Sequence, residues 1–202
     1  MRVRYIIGAL IVSLLGCSKD SSTTGPVEKL PEKNSLELGW KDFQEQRYDG
    51  AILNFTDAYN NALTAAVRAE AIGGRGWTYA YKRDLSKAVS DFVFALGIAG
   101  ITDTVQNDIR VGYAFVLYAL NDFSRAISFG DAVLRDQPTY SFSHDPRVTT
   151  KRVRLLLAQS YYASGLFISA ASQMDIVDPS GAPHSSDPAI LLGKILAALN
   201  SL

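Results

Sequence analysis

One local pattern occurs four times along this 202-residue chain and limits what the chain can fold into. In each copy an aromatic residue or leucine is followed three positions later by alanine, within an apolar series of helical period. The four pairs are Tyr48 with Ala51, Leu85 with Ala88, Phe123 with Ala126, and Phe167 with Ala170. The first members are 37, 38 and 44 residues apart, and a second helical pattern precedes each of them. A repeat of this length predicts an all-α array of antiparallel helix pairs.

The first helix of each predicted pair carries a small residue at the same place. These residues are Gly39, Gly76, Ala114 and Ala158. Two antiparallel helices approach closely only where side chains are small, and larger neighbours then fill the space beside them. The combined pattern resembles the tetratricopeptide repeat. The resemblance implies a right-handed α-solenoid of about four helical hairpins, at about 34–66, 67–102, 104–139 and 147–179.

The chain departs from that family in several places. Its repeats are longer than the family's about 34 residues, only Pro138 matches the terminal proline, and Gly130 replaces an aromatic residue. The segment from Gln137 to Arg147 is an unusually long loop. A generic array of helical hairpins is therefore the structural alternative. Residues 187–202 predict one more helix, with Asp187 as N-cap and Pro188 in the first turn, which would cap the end of the array.

The first residues have the proportions of an export signal. Arg2 and Arg4 precede an apolar run of about eleven residues, which is too short for the roughly twenty that span a membrane. The run ends in Leu-Leu-Gly-Cys17, which resembles the lipobox of bacterial lipoproteins. The resemblance implies a signal peptide at 1–16, lipid attachment at Cys17, and a flexible polar tether at 17–33. Cys17 is the only cysteine, so the chain forms no internal disulfide.

The resemblance to lipoproteins also predicts where the protein resides. An aspartate directly after the cysteine favours retention in the inner membrane of enterobacteria, and this chain has Ser18 there. We therefore expect a lipid-anchored protein of the bacterial cell envelope, at the outer membrane and facing the periplasm. Twenty basic residues balance twenty acidic ones, which argues against nucleic acid as a partner.

Aromatic residues recur at the positions that face the concave groove in the tetratricopeptide family. One position of the four first helices is occupied by Trp40, Trp77, Phe115 and Gln159. The position about one turn further along is occupied by Phe43, Tyr81, Tyr118 and Tyr162. The resemblance implies that these aromatic residues form a groove for a partner segment, because aromatic side chains supply large contact areas. The alternative is that Trp40 and Trp77 fill space between neighbouring helices.

The sequence lacks the usual residues of an active site. Only His144 and His184 are present, both in loop-like surroundings; there is no Gly-x-Ser-x-Gly motif, and metal ligands are not paired at helical spacing. Gly73-Gly74-Arg75-Gly76 has neither the preceding strand nor the Lys-Ser/Thr of a phosphate loop, so close helix packing is the favoured interpretation. We expect no enzymatic activity, no metal and no cofactor apart from the covalent lipid.

The densest group of basic residues is Arg147, Lys151, Arg152 and Arg154. A solvated helix start is the favoured interpretation, and a phosphate or lipid-headgroup site is the alternative. The sequence as a whole predicts a scaffold or adaptor that binds one or more envelope proteins in its concave groove. The rival hypothesis is a lipoprotein that binds a small ligand or glycan through the groove aromatics, and a hydrolase ranks third.

Overall fold

The computed structural model describes residues 32–201, and this part of the chain is almost entirely helical. Its helices are α1 (Glu32–Gln44), α2 (Tyr48–Asn61), α3 (Ala65–Tyr81), α4 (Leu85–Leu96), α5 (Asp103–Ala119), α6 (Phe123–Asp136), α7 (Thr150–Ala163), α8 (Phe167–Val177) and α9 (Pro188–Asn200), with a short 3₁₀ helix at Pro179–Gly181. The only β-structure within residues 32–201 is one isolated bridge, between Ser141 and Thr149. The all-α prediction is confirmed for these residues. The predicted signal peptide, and Cys17 with most of the tether, lie outside them.

Four identical turns join the helices in pairs. Each turn has three residues, and the middle one has a left-handed backbone with φ between 61° and 75°: Gln46, Arg83, Asn121 and Gly165. The next amide N–H donates to a carbonyl five residues earlier, as from Asp84 to Tyr79 and from Asp122 to Leu117 at 2.9 Å. This pairing satisfies carbonyl groups that a helix end leaves free. The repeated pattern of the sequence therefore corresponds to a repeated local structure.

Glycines of α3 allow close packing both against α2 of the preceding pair and against α4 of the same pair. A Cβ added at Gly74 would lie 2.6 Å from atoms of the Phe55 ring, and one at Gly76 would lie 2.9 Å from Phe92. Both phenylalanines are fully buried. The packing interpretation of the glycine-rich segment is therefore confirmed, because a side chain at either position would collide with a core ring.

Each helix pair contacts the next. The second helix of a pair packs on the first helix of the following one, and α1, α3, α5 and α7 also contact one another in sequence. Helix α9 packs on α7 and α8. Asp187 caps it as predicted, accepting hydrogen bonds from the N–H groups of Ala189 and Ile190, and Pro188 occupies the first turn.

Buried side chains form two clusters. The larger extends from α1 to the beginning of α7, whereas the smaller joins α7, α8 and α9 through Leu155, Met174, Leu191 and Ile195. The larger cluster includes three residues of the long loop before α7, namely Tyr140, Phe142 and Val148. This loop determines the shape of the candidate site.

Candidate protein-binding face and the strap across it

Residues 137–149, here called the strap, connect α6 to α7 and fold back on themselves. The N–H of Phe142 donates to the carbonyl of Val148 at 2.9 Å, and the N–H of Thr150 donates to the carbonyl of Tyr140 at 2.8 Å. In the outgoing segment Tyr140 and Phe142 are buried while Ser141 and Ser143 are exposed. This alternation is that of an extended chain with one face against the protein.

The strap lies across the two tryptophans of the predicted groove. The Phe142 ring stacks on Trp77 with ring centroids 4.6 Å apart, and the His144 ring stacks on Trp40 at 3.6 Å. Trp40 is consequently 8% exposed and Trp77 3% exposed. Their indole N–H groups are also satisfied internally, by a Glu70 carboxylate oxygen at 2.9 Å and by the Asp108 backbone carbonyl at 3.0 Å.

Hydrogen bonds hold the strap at its base and at its tip. At the base, the Tyr140 hydroxyl donates to Asp108 Oδ1 at 2.8 Å. At the tip, the Tyr81 hydroxyl donates to the buried Asp145, which also accepts two bonds from the Arg147 guanidinium at 2.8 and 2.9 Å. Both ends are thus attached to the first helices of pairs, to α5 at the base and to α3 at the tip.

Burial changes the acidity of groups under the strap. Burial raises the pKa of Asp108, the Tyr140 hydrogen bond lowers it and the negative charge of Glu70 raises it, and together they bring this pKa to about 6. Burial likewise raises the pKa of Glu70 and lowers that of His144 to about 4. Burial tends to raise the pKa of Asp145, but the hydrogen bonds from Arg147 and Tyr81 outweigh this effect, so the pKa of Asp145 is lowered. His144 is therefore neutral around pH 7 and stacks as an uncharged ring.

The predicted groove residues fall into two groups. Phe43 is buried and, like Trp40 and Trp77, belongs to the aromatic cluster beneath the strap, where its ring lies 5.1 Å from Tyr81. Tyr81, Phe115, Tyr118 and Tyr162 remain half-buried. The Tyr118 hydroxyl donates to Gln159 Oε1, and that of Tyr162 donates to the Pro188 carbonyl, both at 3.0 Å. The groove role of all seven residues stays a prediction.

The basic group at the start of α7 is not uniformly solvated. Arg147 and Lys151 are exposed, as expected, but Arg152 and Arg154 are half-buried. Arg154 donates to Gln173 Oε1 at 3.0 Å. The prediction of a solvated helix start is therefore wrong for these two arginines, because α7 turns them toward the protein.

The two histidines lie in separate loops. His144 is in the strap, whereas His184 is buried between α8 and α9, with its Nδ1 atom 2.9 Å from Asp175 Oδ1. Among side chains of the described part, no three acidic, histidine or cysteine residues converge to hold a metal ion. None of the helices between residues 32 and 201 combines the length and apolar composition that a membrane crossing requires.

No protein-family model matches this chain, and no curated protein matches it either.

Proposed function

We propose that this protein is a lipoprotein of the bacterial cell envelope that binds a segment of a partner protein on the inner face of a tetratricopeptide-like solenoid. The four equivalent helix pairs and their glycine-mediated packing support a solenoid of that family. The Leu-Leu-Gly-Cys17 sequence after a short apolar run supports the lipid anchor, and Ser18 after the cysteine supports the outer-membrane location. The partner is a protein, and no catalytic step is part of the proposal.

The observation that carries this proposal is the binding of the strap itself. Its extended segment is held on the inner helices by two stacked ring pairs and by hydrogen bonds at its two ends. Aromatic rings beside polar groups are how helical repeat surfaces hold peptides in general. The inner face is thus suited to an extended segment, and the strap occupies one part of it.

The strap also restricts where a partner can bind. Fully burying an aromatic side chain such as Phe142 stabilises a fold by roughly 2–3 kcal/mol, and Tyr140 and Val148 are buried with it. Displacing the strap would forfeit all three contributions, so a partner is expected on the accessible remainder. The half-buried Phe115, Tyr118 and Tyr162 belong to that remainder, whereas Tyr81 is bonded to the strap tip.

Site-specific photo-crosslinking in the bacterium that encodes the protein tests the proposal. A photoreactive amino acid replaces Tyr118, Tyr162 or, as the control, Leu53, which is 72% exposed on α2. The expected result is one protein crosslinked from both tyrosine positions and not from Leu53. Crosslinks of equal pattern from all three positions, or none from the tyrosines, would contradict partner binding on the inner face.

The anchor has its own test. Replacement Cys17→Ser removes the thiol that lipidation requires, so the protein should move from the membrane fraction to the soluble periplasmic fraction and lose incorporation of labelled palmitate. A variant Ser18→Ala, changed next to the cysteine, is the matched control and should stay in the membrane fraction. Unchanged fractionation of Cys17→Ser would refute the lipid anchor.

A second candidate function is favoured by a cavity at the strap tip. Its volume is about 370 Å³, and it is lined by aromatic side chains (Phe43, Tyr48, Tyr81), by amides (Gln44, Gln46) and by residues 144–147 of the strap. Its volume lies at the lower end of the range found for ligand cavities, and its lining combines aromatic rings with polar groups. A glycan ligand would raise the melting temperature of the wild-type protein and not that of Tyr48→Ala, and a sugar screen without any shift would reject this function.

A further inference from the structure

Arg152, in the first turns of α7, differs from the other arginines of the inner face and the turns. Most arginines pair with aspartate: Arg47 with Asp42, Arg75 with Asp91, Arg110 with Asp136, Arg125 with Asp122, and Arg147 with Asp145. Arg152 is half-buried with its guanidinium nitrogens in reach of solvent, and no hydrogen bond or salt bridge joins it to a residue in the range 32–201. A partly desolvated charge without a partner is costly for the free protein, and such charges are concentrated at binding sites.

The surroundings of Arg152 do not neutralise it. Burial lowers the pKa of its guanidinium, and Tyr81, Arg147 and Asp145 are near enough for their charges to act on it. Asp145, the acidic group among these, is already occupied by two bonds from Arg147 and one from Tyr81. Burial of Arg152 outweighs the favourable charges of Tyr81 and Asp145, so an additional negative charge from a partner would stabilise its guanidinium.

A polar strip continues from Arg152 along the inner face of α7. Gln159 lies seven residues further and hence on the same side of the helix, where its amide accepts the hydrogen bond of Tyr118. Gln159 also donates to the Leu155 carbonyl, which leaves one N–H and one lone pair of its amide for a ligand. Seven helical residues span about 10 Å, which equals about three residues of an extended chain.

We infer that this strip, formed by Arg152, Gln159 and Tyr118 beside the strap, binds an extended acidic segment of the partner, with a carboxylate paired to Arg152. The inference rests on the proposed function and names the chemistry of the partner. A guanidinium matches a carboxylate through two parallel hydrogen bonds. The neutral amide and hydroxyl groups 10 Å away suit the backbone of a peptide, whereas a phosphate group would leave them unused.

Peptide binding to the full-length protein in detergent tests the inference. The probe is a fluorescent octapeptide rich in Asp and Glu with one Tyr, compared with the same peptide carrying Asn and Gln. The variants are Arg152→Gln and the control Arg135→Gln, whose side chain is 74% exposed on α6. We expect the acidic peptide to bind, and to bind at least about tenfold more weakly when either Arg152 or its own carboxylates are neutralised, since a charged hydrogen-bonded pair contributes that much. Arg135→Gln should change the affinity less than twofold.

Melting curves separate a binding role of Arg152 from a structural one. Because Arg152→Gln removes an unpaired, half-buried charge, the variant should melt at the wild-type temperature or above it. A decrease of several degrees would show that Arg152 stabilises the fold, and would overturn the inference. Arg152→Lys keeps the charge without the planar fork and should bind the peptide with intermediate affinity.

Further outcomes would also overturn the inference. The first is equal affinity for the acidic and the amide peptide, and the second is an unchanged affinity of Arg152→Gln for the acidic peptide. The third is that inorganic phosphate, or vesicles containing phosphatidylglycerol, bind in preference to the peptide and depend on Arg152. The result is distinguishable from a failure of the proposed function. A partner crosslinked at Tyr118 independently of Arg152 leaves the scaffold in place and removes the acidic segment. Arg152-dependent peptide binding without a crosslinked partner keeps the site for an acidic segment and removes the scaffold function.

Discussion

Trp77 in α3 and Gln159 in α7 occupy the same position of their helix pairs, six residues before the left-handed residue of the turn. Trp77 is 3% exposed under Phe142, whereas Gln159 is half-buried beside Tyr118 and free of the strap. The same repeat position thus belongs to the core in one half of the molecule and to the surface in the other. The thirteen residues 137–149 make the difference, because their rings stack on Trp40 of α1 and on Trp77 of α3, whereas the Gln159 amide of α7 bonds to Tyr118 and to the Leu155 carbonyl.

The largest expected effect concerns the covered half. Phe142→Ala removes a fully buried ring from its stack on Trp77 and should lower the free energy of unfolding by about 3–5 kcal/mol. Tryptophan emission should shift to the red and become accessible to acrylamide, because Trp77 loses its cover. Ser143→Ala, at an exposed position of the same segment, should change stability by less than about 0.5 kcal/mol. Emission that is already quencher-accessible in the wild type would refute a closed first half.

The smaller cluster of the open half gives the second effect. Leu191→Ala removes a fully buried side chain from the contact of α9 with α7 and α8, at a cost of about 2–3 kcal/mol. In a repeat array each unit contacts only its neighbours, so amide exchange should accelerate in α7–α9 and stay slow in α1–α4. Ile190→Ala, at a position 55% exposed, is the control. Equal acceleration throughout would mean that the two clusters unfold as one unit and that α9 does not act as a cap for the end of the array.

The sequence predicts the helix pairs better than it predicts what covers them. Local rules suffice for the position of the turns, the cap at Asp187 and the glycines, whereas the left-handed backbone of Gln46 and Arg83 is not indicated by their residue type. For the strap the sequence predicts only a long loop. Its alternation of Tyr140 and Phe142 with serines indicates an extended segment with one buried face, but the surface that it covers depends on contacts more than 60 residues apart, such as Tyr81 with Asp145. The uncompensated charge of Arg152 likewise becomes visible only once α7 is placed beside the strap tip.

A third effect, dependent on pH, tests the base of the strap. The pKa of Asp108 is raised by burial to about 6, above its unfolded value, so folding is favoured when this carboxyl is protonated and the contribution is lost as the pH rises from about 4 to 6. Asp108→Asn mimics the protonated form and should raise the free energy of unfolding by about 1–2 kcal/mol at pH 8, with little effect at pH 4. Asp103→Asn, at an exposed position of the same helix, should show no such difference between the two pH values.

Protonation of His144 affects stability in the opposite direction to protonation of Asp108, over the same pH range. Burial lowers its pKa to about 4, so its contribution to stability is present above about 6.5 and is lost as the pH falls toward 4. In wild type the two groups offset each other. Asp108→Asn should therefore reveal a loss of stability on acidification that His144→Phe abolishes, as measured by urea unfolding at each pH. Because burial also raises the pKa of Glu70, the His144 contribution is the difference between Asp108→Asn with and without His144→Phe; identical profiles of these two variants from pH 8 to 4 would show that His144 is not buried against Trp40.

The smallest effect concerns the turns, and tests whether the covered and the open half differ there as well as in their cover by the strap. Gln46 in the covered half and Gly165 in the open half share a left-handed backbone, with φ of 61° and 75°. Glycine adopts this conformation without the cost that a side chain adds, so Gln46→Gly should stabilise the protein by about 0.5–1 kcal/mol and Gly165→Ala should destabilise it by about 1 kcal/mol. A Cβ at Gly165 would meet no atom within 4 Å, so only the backbone conformation contributes. If the stabilisation by Gln46→Gly equals the destabilisation by Gly165→Ala, the two turns are equivalent and the halves differ only in the strap. Unequal changes would mean that the strap tip, which lines a cavity together with Gln46, also constrains the first turn.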